Sequence, residues 1–259
     1  MIRNQQPAVT LFAIGLIGLG ILSLVYHDFA MQWQPVPASV PGRVALAYAS
    51  GLLMVIGGIA LLFKATAAPA IRVLFPYLII WQLLKLPSVI AAPQIEGVWL
   101  GFAEITVLLA GGWVLFARLA ELDDKSFFRH VVGENGIRIA RILFAVALIP
   151  IGLSHIFYIK ITASLVPAWL PFREGWGYAT GIGQMACGLG VLFSIYPRLA
   201  AMVETGMLAV FAFLVWAPRV VAAPTSQLPW TAFFITWVIG ASAWLVAINI
   251  PPRRKGDQR

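Results

Sequence analysis

Few residues in this chain are of a type that does chemistry, and most of those sit at the ends of long apolar runs. Lys85 and Glu104 are exceptions, each lying well inside one. Lys85 is six residues from the end of the run Ile71–Ala91, and Glu104 is seven residues into Gly97–Ala117, which must return the other way. At about 1.5 Å of rise per residue, both fall about 10 Å beneath the same surface. An ion pair is therefore expected. A charge at membrane depth costs several kcal/mol unless partnered, which marks it as a candidate for binding or protonating a polar headgroup. The same pair would equally serve to fix the packing of two helices.

Gln82 lies one turn deeper on the face of Lys85, at i, i+3. Gln184 lies at a similar depth in a later run, with Tyr178 above it, and His155 closes the sequence Gly152-Leu-Ser-His155. With Tyr48, Arg43, Arg173 and His27 from the adjoining loops, these residues would line a cavity in one leaflet if the helices bundle. Glu204 differs. It stands near Arg198, Arg138 and Arg141, and a structural ion pair is expected there. The rest of the midplane reads as nearly devoid of polar residues, which weighs against a transport path.

Several chemistries are disfavoured. Cys187 is the only cysteine, so the chain has neither an internal disulfide nor a CxxC redox pair. His27 and His155 occupy comparable places and invite a bis-His haem. However, an offset of 130 places His27 opposite Phe157, and neither run carries a second ligand in metal spacing. Haem and metal are therefore not expected. No phosphate-binding Gly-rich loop and no GxSxG elbow is present. The net charge of +8 is scattered over segment ends, with no basic stripe for nucleic acid.

The elements that hold these residues are membrane helices. Apolar residues make up 61% of the chain, charged residues 11%, and the mean hydropathy is +0.89. A soluble chain carries about 25% charged residues. A helix crosses hydrocarbon with about 20 apolar residues, and eight runs qualify: Ala8–Tyr26, Val44–Phe63, Ile71–Ala91, Gly97–Ala117, Ile137–Ile159, Trp176–Ile195, Leu199–Ala217 and Trp230–Asn249. The first run lacks a small-x-small cleavage site and reads as a span, not a leader.

The chain also repeats itself. Val36–Gly51 (VPASVPGRVALAYASG) and Val166–Gly181 (VPAWLPFREGWGYATG) share 8 of 16 residues at an offset of 130. Leu86–Pro93 returns as Ala217–Pro224 at an offset of 131, with 5 of 8 identical. Two ordered echoes indicate a duplication. The expected fold is all-α: eight transmembrane helices in two parallel four-helix repeats, residues 1–120 and 137–250, related by a pseudo-twofold axis along the membrane normal. A polar linker, 121–136, joins them, and a basic tail, 251–259, follows. Of the 18 Lys and Arg residues, all but Arg43, Lys85, Lys160, Arg173 and Arg219 fall on the side of the termini, which predicts cytoplasmic termini. The Pro-x-x-x-Pro segments then lie outside, as stiff interfacial loops or as the roof of a ligand pocket.

Gly152-Leu-Ser-His155, the Pro-containing loop after it and the Gly-rich stretch Gly181-Ile-Gly-Gln-Met-Ala-Cys-Gly-Leu-Gly resemble the DoxX-like family of bacterial membrane proteins. In the first repeat the corresponding Leu24-Val-Tyr-His27 lacks the glycine. The resemblance spans nearly the whole chain as a tandem copy of a four-helix unit. It implies a bacterial cytoplasmic membrane protein associated with a redox partner subunit and a quinone ligand, and it transfers no catalytic residue. The alternative is a non-catalytic scaffold or a transporter-like protein whose repeats enclose a path.

Overall fold

The computed structural model describes residues 6–122 and 130–251. Residues 123–129 of the expected linker, the basic tail beyond Pro251, and Arg3 lie outside the described residues. All regular secondary structure among the described residues is helical, with no strand among them. The helices are α1 (Gln6–Tyr26), α2 (Arg43–Leu61), α3 (Lys64–Ala91), α4 (Glu96–Leu119), α5 (Gly133–Phe157), α6 (Ile159–Leu165), α7 (Arg173–Leu192), α8 (Pro197–Val210), α9 (Ala217–Ala222) and α10 (Gln227–Asn249). A π-helical turn, Phe211–Trp216, joins α8 to α9 without a break, and a 3-10 turn, Met31–Trp33, lies between α1 and α2.

Among the described residues, seven helical stretches are long and apolar enough to cross a membrane: α1, α2, α3, α4, α5, the continuous Pro197–Ala222, and α10. The chain therefore has the make-up of a multi-pass membrane protein. The helix at the remaining expected position, α7, has 20 residues but is diluted by glycines, Tyr178 and Gln184. Large apolar side chains face outward, among them Ile56, Leu83 and Val221, the last 79% exposed. An apolar exterior is disfavoured in water and matched to lipid.

Helix limits depart from expectation in two places. α3 begins at Lys64 and carries Pro69, Pro76 and Pro87 within it. Membrane helices tolerate such prolines where neighbouring groups re-satisfy the freed carbonyls. α6 is an additional short helix in the α5–α7 connection, packed on α7, with Arg219 on α9 donating to Ser164 O at 2.9 Å and Leu165 O at 3.2 Å.

Neighbouring helices pack in chain order: α1 on α2, α2 on α3, α3 on α4, then α5 on α7, α7 on α8 and α8 on α10. α4 also packs on α5, α1 on α10, and α4 on α10. The two central helices, α4 and α10, are the most enclosed, each with 72% of its apolar window buried. They meet where Gly111 abuts Ser242: a Cβ on Gly111 would lie 2.6 Å from Ser242 Cβ and 3.0 Å from its Cα. Seven residues further along both helices, Arg118 Nε donates to Asn249 Oδ1 at 2.9 Å.

The loops segregate to two faces. On the loop face, Gln227 Nε2 donates to Phe29 O at 3.0 Å, and Gly97 N donates to the Tyr158 hydroxyl at 3.0 Å. On the terminal face, Arg72 donates to Ala120 O and Glu121 O, and Arg118 pairs with Glu134 at 3.0 Å.

Candidate functional site

The richest buried polar group lies between α3, α4 and the 3-10 turn, in the half of the bundle next to the loop face. α3 presents Trp81, Gln82 and Lys85 at helical spacing, all buried. α4 presents Gly101 and Glu104 one turn apart toward them. The Lys85 ammonium occupies the space that Gly101 leaves empty, since a Cβ there would lie 2.7 Å from Nζ. It is electrostatically coupled to Glu104, so the expected juxtaposition of Lys85 and Glu104 is present. Glu104 also accepts a hydrogen bond from Trp33 Nε1 on the 3-10 turn, which packs against α4.

Three polar atoms near this pair have no hydrogen-bond partner among the described residues: Gln82 Oε1 and both carboxylate oxygens of Glu96. Gln82 is within one turn of Lys85, and Glu96 is electrostatically coupled to Glu104 from two turns away; Trp81, one turn from Lys85 on the other side, lies against Tyr77. Gln82 Nε2 reaches Phe102 O only at 3.5 Å. Buried polar groups are ordinarily paired, so this set of orphaned acceptors near a charged pair is what a polar headgroup would satisfy.

The remaining expected residues do not converge on that point. Gln34, unmarked in the sequence, donates to Tyr77 OH at 2.9 Å and Ser50 Oγ at 3.3 Å and accepts from Ala30 N at 2.9 Å, and Tyr77 links this network to Trp81. Arg43 pairs with Asp28 at 2.6 Å, donates to Val36 O at 3.1 Å and lies over the Phe29 ring. Tyr48 bonds His27 Nδ1. Arg173 donates to Ala168 O at 3.2 Å and lines an open groove of about 560 Å³ with Ser164, Phe172 and Glu174. Tyr178 is 40% exposed.

His155 and His27 are not counterparts. A Cβ on Gly181 would lie 2.6 Å from Gly152 O and 2.8 Å from His155 Cβ, and a Cβ on Gly51 would lie 2.9 Å from Gly20 O and 3.0 Å from Ser23 Cβ. Ser23 therefore stands where His155 does, and Gly20-Ile-Leu-Ser23 corresponds to Gly152-Leu-Ser-His155. His155 Nδ1 pairs with Thr180 Oγ1 at 2.9 Å and its ring lies beside Phe211.

Two expectations about the second half are corrected. Glu204 is fully buried, and its hydrogen-bond partner is Gln184, whose Nε2 donates to Oε1 at 3.1 Å. Arg198 is exposed at the start of α8. Gln184 consequently does not belong with the residues near the loop face. It is eleven residues into α7, and Glu204 seven into α8 from the other side, so a polar pair occupies a depth that looked apolar.

A family model described as a domain of unknown function (DUF8561) matches residues 144–242, from within α5 to within α10. No curated protein and no solved structure matches the chain.

Proposed function

We propose that this chain is a bacterial cytoplasmic-membrane protein that binds a lipophilic small molecule with a polar headgroup, a quinone by chemistry, near the loop face of its first four-helix unit. Lys85 and Glu104 engage the headgroup, one as a cationic donor and the other as an acceptor steadied by Trp33. Gln82 and Trp81 complete the polar lining. The isoprenoid or acyl part lies along the apolar bundle. The ligand places the chain as a subunit of a membrane redox assembly, with the quinone serving a partner's electron chemistry.

The observation that carries this is the unpartnered Gln82 and Glu96 oxygens near the electrostatically coupled Lys85 and Glu104, a pairing present in one half of the chain only. At an offset of 131, Lys85 faces Trp216 and Glu104 faces Ile235, so a scaffold requirement shared by both halves does not explain the pair. The DoxX-like resemblance supports the choice of quinone.

The architecture we propose around it has eight spans, α7 included, in two parallel repeats with termini on the cytoplasmic side. The helix pairing, the matched contacts of α4 with α10, and the positive charge near the terminal face support it. So does the family match, which falls wholly within the second unit.

The test replaces Lys85 by Met and Glu104 by Gln together and compares bound quinone in the purified protein. Loss of ligand with the bundle intact is expected; unchanged ligand content contradicts the proposal. A non-catalytic scaffold is the second reading. It is favoured by the self-satisfied groups Gln34–Ser50–Tyr77, Arg43–Asp28 and His27–Tyr48, and it predicts an empty protein.

A further inference from the structure

Gln184 and Glu204 form a second buried polar site, remote from Lys85 and independent of the proposed ligand. Both side chains are closed off, at 1% and 0% exposure. One hydrogen bond joins them, from Gln184 Nε2 to Glu204 Oε1 at 3.1 Å. Two acceptors on the same pair, Gln184 Oε1 and Glu204 Oε2, have no partner among the described residues. A carboxylate here would be a buried charge with no cation beside it, the arrangement that hydrocarbon penalises most.

Among the described residues no ion pair reaches Glu204. α5, which packs on α7, carries Arg138, exposed, and Arg141, half-buried, near its start, and His155, bonded to Thr180, near its other end. On α7 the nearest titratable neighbour is Cys187, one turn beyond Gln184 and within electrostatic reach of Glu204. α10, which packs against α8, carries no charged residue from Gln227 to Asn249. Arg198 on α8 is six residues away and exposed.

We infer that the Gln184–Glu204 pair is a proton-binding site, in which a neutral Glu204 carboxylic acid is held by the Gln184 amide. A single proton on Oε2 answers both orphans at once: it turns one unpartnered acceptor into a donor, and the unpartnered oxygen of the amide already bonded to this carboxyl is the acceptor available to it. The result is a reciprocal acid–amide dimer with two hydrogen bonds and no net charge. α7 and α8 are the helices that this proton holds together, and its release leaves a carboxylate that must find water or a cation. Proton uptake and release is thereby coupled to how tightly α7 packs on α8.

The test is infrared spectroscopy of the full chain in lipid vesicles, comparing wild type with Glu204→Gln. At neutral pH the difference spectrum is expected to show the loss of one carboxylic-acid C=O band, lying above the amide band. Raising the pH of the wild type is expected to replace that band with carboxylate stretches. Should Glu204→Gln not fold, Gln184→Leu is read instead, where removal of the amide is expected to shift the same band to higher frequency. A difference spectrum with only carboxylate bands at neutral pH overturns the inference. Loss of the acid band on adding sodium at constant pH, with recovery in potassium, also overturns it, because the site would then bind a metal cation.

Discussion

Arg118 Nε and Asn249 Oδ1 lie 2.9 Å apart across the α4–α10 seam, and the two residues are 131 positions apart in the chain. Gly111 and Ser242, which abut two turns earlier, are separated by the same 131. That is also the offset at which Leu86–Pro93 returns as Ala217–Pro224. Two such contacts in register along both helices mean that α4 and α10 run side by side in the same sense, which the proposed parallel repeats require.

The seam gives the first prediction. Gly111→Leu drives a side chain into the backbone of Ser242, where overpacking costs about 1–3 kcal/mol. The expected result is a lowered melting temperature in detergent with loss of the monodisperse species on size exclusion. The same substitution at the open position Gly206, whose Cβ would meet nothing within 4 Å, should be tolerated.

Equivalent glycines should respond alike. Gly20 with Gly51 and Gly152 with Gly181 bring α1 onto α2 and α5 onto α7 with backbone in near contact. Alanine at Gly51 and at Gly181 is expected to destabilise by similar amounts, about 1–3 kcal/mol each. A large effect at one and none at the other would argue against equivalent packing.

Trp33→Phe removes the indole donor to Glu104 while keeping the apolar ring. Leaving a buried acceptor short of a partner costs about 1–3 kcal/mol. Stability should fall by that order and ligand retention should fall with it. Trp99→Phe removes a bond to Pro93 O, and Trp230→Phe removes its counterpart to Pro224 O, each at 2.9 Å. Both should leave ligand retention unchanged.

Sidedness is testable because Cys187 is the only cysteine. In a Cys187→Ser background, a cysteine at Phe172, 86% exposed on the loop face, should react with an impermeant maleimide added outside cells. A cysteine at Phe193, on the terminal face and 66% exposed, should react only after the membrane is opened. The reverse pattern would invert the topology.

How much of this was legible in the sequence follows from what each signal measures. Apolar runs marked nearly every long helix, since about 20 apolar residues are what a span requires. They place the start of α3 at Ile71, where the continuous apolar run begins, whereas the helix itself starts at Lys64. Lys85 and Glu104 could be brought together because adjacent antiparallel helices convert sequence position into depth. Trp33 could not be joined to them. It is 71 residues from Glu104, reaches it from a 3-10 turn, and looks in sequence like any interfacial tryptophan. Gln184 and Glu204 are hard to join from sequence for a similar reason: they lie on different helices that enter from opposite faces, and their meeting depends on how α7 and α8 slide along each other. His27 and His155 were compared by position in their runs, whereas the glycine contacts align Ser23 with His155.

The most direct measurement is the ligand content of the purified wild-type protein. The detergent-extracted protein would be analysed by mass spectrometry for bound lipids and quinones, alongside a visible absorption spectrum of the intact sample. The account predicts a near-stoichiometric quinone that is lost in the Lys85→Met, Glu104→Gln double variant. A wild-type protein that carries no lipophilic ligand, with a featureless spectrum and a folded bundle, would contradict it and leave the scaffold as the better description.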